Sequence, residues 1–236
     1  MPMRRMGALL SLVATLWMAG CAVPVQKPVD LPSDYLSTGK GKAGRIGVVM
    51  SVLPKPDTQF PGAGCLLCVA VANAAHSSLT KQVQGFSTDE LKPLPGDLAK
   101  LLQQRGLDAV LIAEPLNIAA LPDLKPEEGS NRARKDFSAL KAQHGIDRLL
   151  VVDIAALGVW RSYSAYVPTA VPRALVSGKA AIVNLPGNVM DWYLPIEVSR
   201  AAEGNWDEPP QFPGLTNAYY QVLEAVMDLV KKPFRP

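Results

Sequence analysis

Soft metal ligands are scarce in this chain: its 236 residues include three cysteines and two histidines. If Cys21 is set apart for the reason given below, only Cys65, Cys68, His76 and His144 remain, and the histidines have no paired spacing. A structural zinc site needs four such ligands, so no metal is expected. A charge excess of one sign is also missing. The 24 basic and 21 acidic residues leave a net charge of +3, of which Arg4 and Arg5 supply two. Nucleic-acid binding leaves a concentrated basic footprint, which this balance excludes as an expectation. The apolar run over residues 7–18 is too short to cross a bilayer. No repeat of solenoid period is visible. Nor is there a Ser-His-Asp order, a nucleophile elbow, a phosphate loop or an acid pair at catalytic spacing, so neither an enzyme of those classes nor a cofactor is implied. What the chain does have is 48% hydrophobic residues, enough for a proper core, broken by 21 prolines and 18 glycines that place loops between apolar runs.

The amino terminus has the three parts of an export signal: Arg4 and Arg5, then the apolar run, then the small residues Ala19 and Gly20. The next residue is Cys21, and Leu16-Trp17-Met18-Ala19-Gly20-Cys21 resembles the lipobox read by the bacterial lipoprotein signal peptidase, with Met18 where leucine is usual. The resemblance implies cleavage after Gly20, a diacylglycerol on the Cys21 thiol and usually a further acyl chain, such as palmitate, on its freed amine. At about 0.8 kcal/mol per buried methylene, two or three such chains give stable anchoring without a transmembrane helix. The family's sorting rule retains lipoproteins with aspartate after the cysteine in the inner membrane. Ala22 stands there, so the periplasmic side of the outer membrane is expected, with the inner membrane as the alternative.

Residues 21–44 contain Pro24, Pro28, Pro32, Gly39, Gly41 and Gly44 without a sustained apolar period, which predicts a lipidated cysteine followed by a flexible tether. A folded domain is expected over residues 45–236. Residues 46–53 suit a buried strand. The apolar positions from Cys68 to Val83 predict one helix of about four turns, and a second helix runs from about Pro95 to a cap at Gly106. Residues 107–113 predict a strand, Ala133 to His144 a third helix closed by Gly145, and residues 148–159 a longer strand. Residues 179–185 and 189–199 then make an antiparallel hairpin around Pro186-Gly187-Asn188. In its second strand Met190, Trp192, Leu194, Ile196 and Val198 are expected on one face, and Pro195 argues for an edge. The apolar stripe from Leu215 to Val230 closes the domain with a helix.

The predicted fold is therefore a single α/β sandwich with a mixed sheet, in the order strand, helix, helix, strand, helix, three strands, helix. That order, with residues 145–152 as a helix-to-strand junction, resembles the periplasmic domain shared by the amino-terminal part of TolB and lipoproteins of the CsgG and PelC type. The resemblance implies an envelope role and brings no catalytic residues with it. The connection over residues 159–173 lacks two long alternating strands, so no membrane-crossing hairpin is expected.

Cys65 and Cys68 are the sharpest local feature, a pair three residues apart at the start of a predicted helix. They suit a structural bridge or two buried thiols, and the export compartment favours the bridge. The alternative is a thiol-disulfide enzyme. His144 is expected to cap or pack, and His76 to lie on an exposed helix face. Asp153, within an apolar strand, must be solvated or paired. Trp160, Tyr163, Tyr166 and Tyr193, with the edge around Pro195, are the candidate partner-binding surface, although aromatics near strand ends also cover cores. The expected function is that of a noncatalytic binding or assembly component of a cell-envelope export or biogenesis system. It would be held to the membrane through Cys21 and would contact other envelope proteins or further copies of itself.

Overall fold

The computed structural model describes residues 26–32, 34–36, 44–125, 127, 129–208 and 211–235. Cys21 and the segment expected to serve as an export signal lie outside them. The chain folds as one mixed α/β domain around a sheet in which β3 (Ala109–Leu111), β1 (Ile46–Met50), β4 (Arg148–Trp160), β7 (Arg173–Asn184) and β8 (Val189–Ala201) follow one another. The pairs β1–β3 and β1–β4 are parallel, and β4–β7 and β7–β8 are antiparallel. A short strand absent from the sequence reading, β2 (Asp57–Gln59), continues the β1 side of β4 by pairing with Gly158, Val159 and Trp160. It escapes a pattern search because Asp-Thr-Gln has no apolar residue, and only Thr58 is buried.

All five residues of β1 are buried, as a strand covered on both faces requires. One face carries α2 (Ser77–Gln84), α3 (Leu94–Gln104) and α5 (Pro213–Lys231), whose apolar stripes meet Val48, Leu150, Ile182 and Trp192 in the larger core. In α5, Leu215, Tyr219, Val222, Leu223, Val226 and Val230 are all buried. At three to four residue spacing they form one stripe facing the sheet. The other face is covered by residues of the 112–137 connection and by α4 (Ala139–His144), which bury Val49, Leu149, Val151, Ala181 and Val183 in a second cluster.

Four elements depart from the sequence reading, each for a local reason. The helix expected across Cys68 to Val83 is two, α1 (Leu66–Ala75) and α2, because His76 leaves the helical conformation at φ −118° and ψ 24°. The third helix is confined to α4, with Gly145 capping it at φ 61° as expected. Ala133 and Phe137 are instead buried from the connection before it. His144 is exposed in the last turn of this six-residue helix, directly before its Gly145 cap. In β8 the pairing steps from Val183–Met190 to Ile182–Trp192 and skips Asp191. The bulge flips the alternation, so Met190 faces the second cluster and Trp192 and Ile196 the first.

The fourth difference concerns the tether. Val29 exchanges backbone hydrogen bonds with Tyr193, at 3.0 and 2.9 Å, on the outer edge of β8. Leu31, Tyr35 and Leu36 pack against the larger core. The Tyr35 hydroxyl donates to Asp191, whose carboxylate is 2.7 Å from Arg148 Nε, and the Arg148 guanidinium lies over the Tyr35 ring. Burial pushes the Tyr35 hydroxyl pKa well up, so it stays a donor at any physiological pH. Proline content suggests a loose segment, but it does not prevent an extended segment from docking on an open sheet edge.

Candidate partner-binding surface

Two charge-free stretches meet at one end of the sheet. No Asp, Glu, Lys or Arg lies between Asp57 and Lys81, nor between Arg161 and Arg173. The second stretch forms a small hairpin of β5 (Tyr163–Ser164) and β6 (Val167–Pro168). The loop before α1 is fastened to it: Tyr163 N donates to the Pro61 carbonyl at 2.8 Å and Ala165 N to that of Gly62 at 3.2 Å. Gly62 has φ +89°, and a Cβ there would sit 1.9 Å from the Tyr163 carbonyl oxygen. Only glycine fits this approach.

The helix presented by that loop is apolar on all sides, with the sequence Leu-Leu-Cys-Val-Ala-Val-Ala-Asn-Ala-Ala. It buries only Cys68 and Ala72, against Ala63, Tyr163 and Phe60. Leu66 is 94% exposed and Leu67 63%, and Val69 and Val71 are exposed as well. Tyr166, Val167 and Val171 extend the apolar surface on the hairpin side, and the Tyr166 hydroxyl lies 3.7 Å from the Cys65 sulfur. An all-round apolar helix in a water-exposed position is unusual, because such helices are normally buried. Soluble monomers rarely leave so many apolar side chains exposed side by side.

Cys65 and Cys68 are at disulfide distance from each other. Cys65 is exposed, caps α1 by accepting from the Cys68 amide at 2.9 Å, and ties the loop to the first turn; Cys68 is buried. Beneath them His76 stacks on Phe60, and its Nε2 lies 2.6 Å from the Tyr163 hydroxyl and 3.0 Å from Arg161 Nη1. A guanidinium can only donate, so the imidazole accepts from it as the neutral ring. Burial first, and the Arg161 charge second, lower the His76 pKa below its ordinary value. Arg161 in turn lies over the Trp206 ring at 5.0 Å, which joins this end to the α5 side of the core. His76 is thus half-buried in a polar cluster, where an exposed helix face was expected, because the break between α1 and α2 turns it inward.

The four aromatics singled out in the sequence part company. Tyr163 is buried with the Cys68 cluster, Tyr166 is exposed, and Trp160 ends β4 beside β2, half-buried. Tyr193 stands at the other half of the sheet, level with Ala181 and Val151, and its backbone is taken by Val29. The edge of β8 at Tyr193 is therefore not open for strand addition. Arg132 also bridges Val189 farther along the same edge. Asp153 is paired with Lys179 across β4 and β7, at 3.4 Å. The sequence reading missed Leu66, Leu67, Val69 and Val71 as exposed residues. The available signal was the absence of any charge on α1. Among the described residues no helix is long and apolar enough to cross a membrane, and no three His, Cys, Asp or Glu side chains gather as a metal site.

No protein-family model matches the chain, and no curated protein does. Among solved structures it is similar to the lipoprotein GNA1162 from Neisseria meningitidis, at 16% identity and a TM-score of 0.27, over 80% of this chain and 98% of that one. It is also similar to a protein whose crystal structure is described as that of an uncharacterized protein, at 10% identity and a TM-score of 0.26, over 79% of this chain and 92% of the other. At such TM-scores neither likeness bears on fold or role.

Proposed function

We propose that this protein is an exported lipoprotein, anchored through Cys21 on the periplasmic side of the outer membrane, that works without catalysis as a binding or assembly component of a cell-envelope system. The observation that carries the binding role is the exposed apolar face of α1 with Tyr166 and Val167 beside it. Burying a leucine side chain gains about 1.5–3 kcal/mol, so Leu66 and Leu67 alone would supply a substantial share of a moderate interface. The lipobox-like segment supports the anchor, and an exported location is consistent with a bonded Cys65–Cys68 pair.

Two variants test the reading. Cys21→Ala should abolish incorporation of a fatty-acid probe and leave the precursor uncut, and the native chain should fractionate with the outer membrane. Normal labelling of the variant would remove the anchor from the account. Leu66→Ser with Leu67→Ser should keep the circular dichroism spectrum and lose crosslinks to envelope proteins or to other copies. Unchanged crosslinks would move the interface elsewhere.

A second reading, a thiol-disulfide enzyme, is favoured by one feature: Cys65 is exposed at a helix N-terminus while Cys68 is buried. Disulfide reductase or isomerase activity of the purified protein that disappears with Cys65→Ser would support it over the noncatalytic reading.

A further inference from the structure

The face of the sheet opposite α3 and α5 is covered by chain without long helices, and it leaves a cavity of about 290 Å³. Its floor is apolar sheet: Val151 on β4, Ala181 and Val183 on β7, and Met190 on β8, with Phe137 closing one side. Its rim is basic. Arg132, Arg134, Lys135 and Lys179 line it, and no acidic side chain does. Lys179 pairs with Asp153 at 3.4 Å and Lys135 with Asp123 at 2.8 Å, two acids that stand outside the lining. The chain as a whole is nearly neutral, whereas four basic side chains, two of them ion-paired with acids beyond the lining, stand around this one apolar floor.

The wall that carries three of these cations is fixed in place. Asn188, itself buried at φ 52°, accepts from Phe137 N at 2.8 Å and donates to Asp136 at 2.8 Å, and its carbonyl accepts from Ala133 N at 2.7 Å. Arg132 Nε donates to the Gly187 carbonyl and Lys135 Nζ to that of Leu121. A pocket held open in the unliganded fold avoids the ordering cost of forming one on binding.

We propose that this cavity binds a single acyl chain ending in an anionic head, with the chain on the Val151, Ala181, Val183 and Met190 floor and the head among Arg132, Arg134 and Lys179. Ligand pockets commonly span about 300–1,000 Å³, so this one sits at the small end and suits a short chain or the part of a longer chain next to its head. The rim matches carboxylate and phosphate heads alike, because guanidinium forks and ammonium groups donate to both. The site is separate from the α1 surface, and it stands or falls independently of the proposed docking there.

The test uses the full chain in phosphatidylcholine nanodiscs, with radiolabelled decanoate in equilibrium dialysis against protein-free discs. Saturable binding beyond that of the empty discs is expected, with decanol, which has the same chain and no charge, weaker by roughly ten-fold or more. Lys179→Ala with Arg134→Ala should weaken decanoate and leave decanol unchanged. Ala181→Trp, which fills the floor, should remove both while circular dichroism shows the fold retained. No saturable decanoate binding, or decanol binding as well as decanoate, would overturn the proposal. So would binding seen only in the Cys21→Ala chain, since the cavity would then belong to the protein's own acyl group. Decyl phosphate in place of decanoate distinguishes the two head chemistries.

Discussion

Two apolar helices in this molecule have opposite fates. In α5 the apolar residues recur at three to four residue spacing, and all of that stripe is buried against the sheet. In α1 apolar residues occupy every side, and only Cys68 and Ala72 are covered. Hydrophobic content alone therefore does not decide burial. Periodicity tells which face a helix gives to its own core, and the lack of periodicity in α1 leaves apolar surface uncovered by its own domain. The first helix holds the fold together; the second is fastened at one end by Cys65, Gly62 and the β5–β6 hairpin and is otherwise presented to solvent.

The sharpest way to break this contrast is truncation in each helix. Leu223→Ala in α5 removes a fully buried side chain and should cost about 2–5 kcal/mol, read as a fall in the urea midpoint. Leu66→Ser in α1 should change stability by no more than about 0.5 kcal/mol. Comparable losses at both sites would mean that α1 is part of the core after all.

A smaller effect is expected where α1 is fastened. Gly62→Ala forces a Cβ into the Tyr163 carbonyl at a positive φ, which should cost about 1–3 kcal/mol in the same measurement. A neutral result would show that the loop is free to move away from the hairpin. The bridge itself is checked by alkylating protein taken from the periplasm without reduction: neither Cys65 nor Cys68 should react. Two labelled thiols would mean that they pack as separate side chains.

The smallest effect concerns pH. The folded His76 pKa lies below its ordinary value of 6.5, so the unfolded chain binds the proton more readily. Its contribution to stability is present above that value and is lost as pH falls through the depressed folded pKa. The melting temperature should fall modestly as pH drops below about 6.5, before the carboxylates begin to titrate. His76→Gln should flatten that part of the profile. An unchanged slope in the variant would assign the effect to other groups.

Much of the fold was legible because its elements have strong periods. The long strands β4 and β8, the second half of β7, the turn at Pro186-Gly187-Asn188, the cap at Gly145 and the stripe of α5 all follow from spacing and turn chemistry, whereas the first half of β7, from Arg173 to Gly178, was not read as strand. What was not legible depends on tertiary partners. β2 exists because Gly158 lets it approach β4 closely: a Cβ there would lie 2.0 Å from the Asp57 carbonyl oxygen. The partners that receive His76 where the helix breaks, Arg161 and Tyr163, lie more than eighty residues away in sequence. The Asp191 bulge faces Arg148 and Tyr35, so its reason too lies outside its own strand. Of the candidate surface, Tyr166 was found by composition, whereas Tyr163 is a core residue and Leu66 and Leu67 stand between the two cysteines, before the helix read from Cys68.

The central claim, that α1 is a contact surface in the living envelope, is tested most directly by placing a photoreactive amino acid at Leu67 and, as a control, at the exposed Gln104 on α3. Irradiation of intact cells should give discrete crosslinked products from position 67, to an envelope protein or to a second copy, and none of them from position 104. The same products from both positions, or none from position 67, would contradict the account.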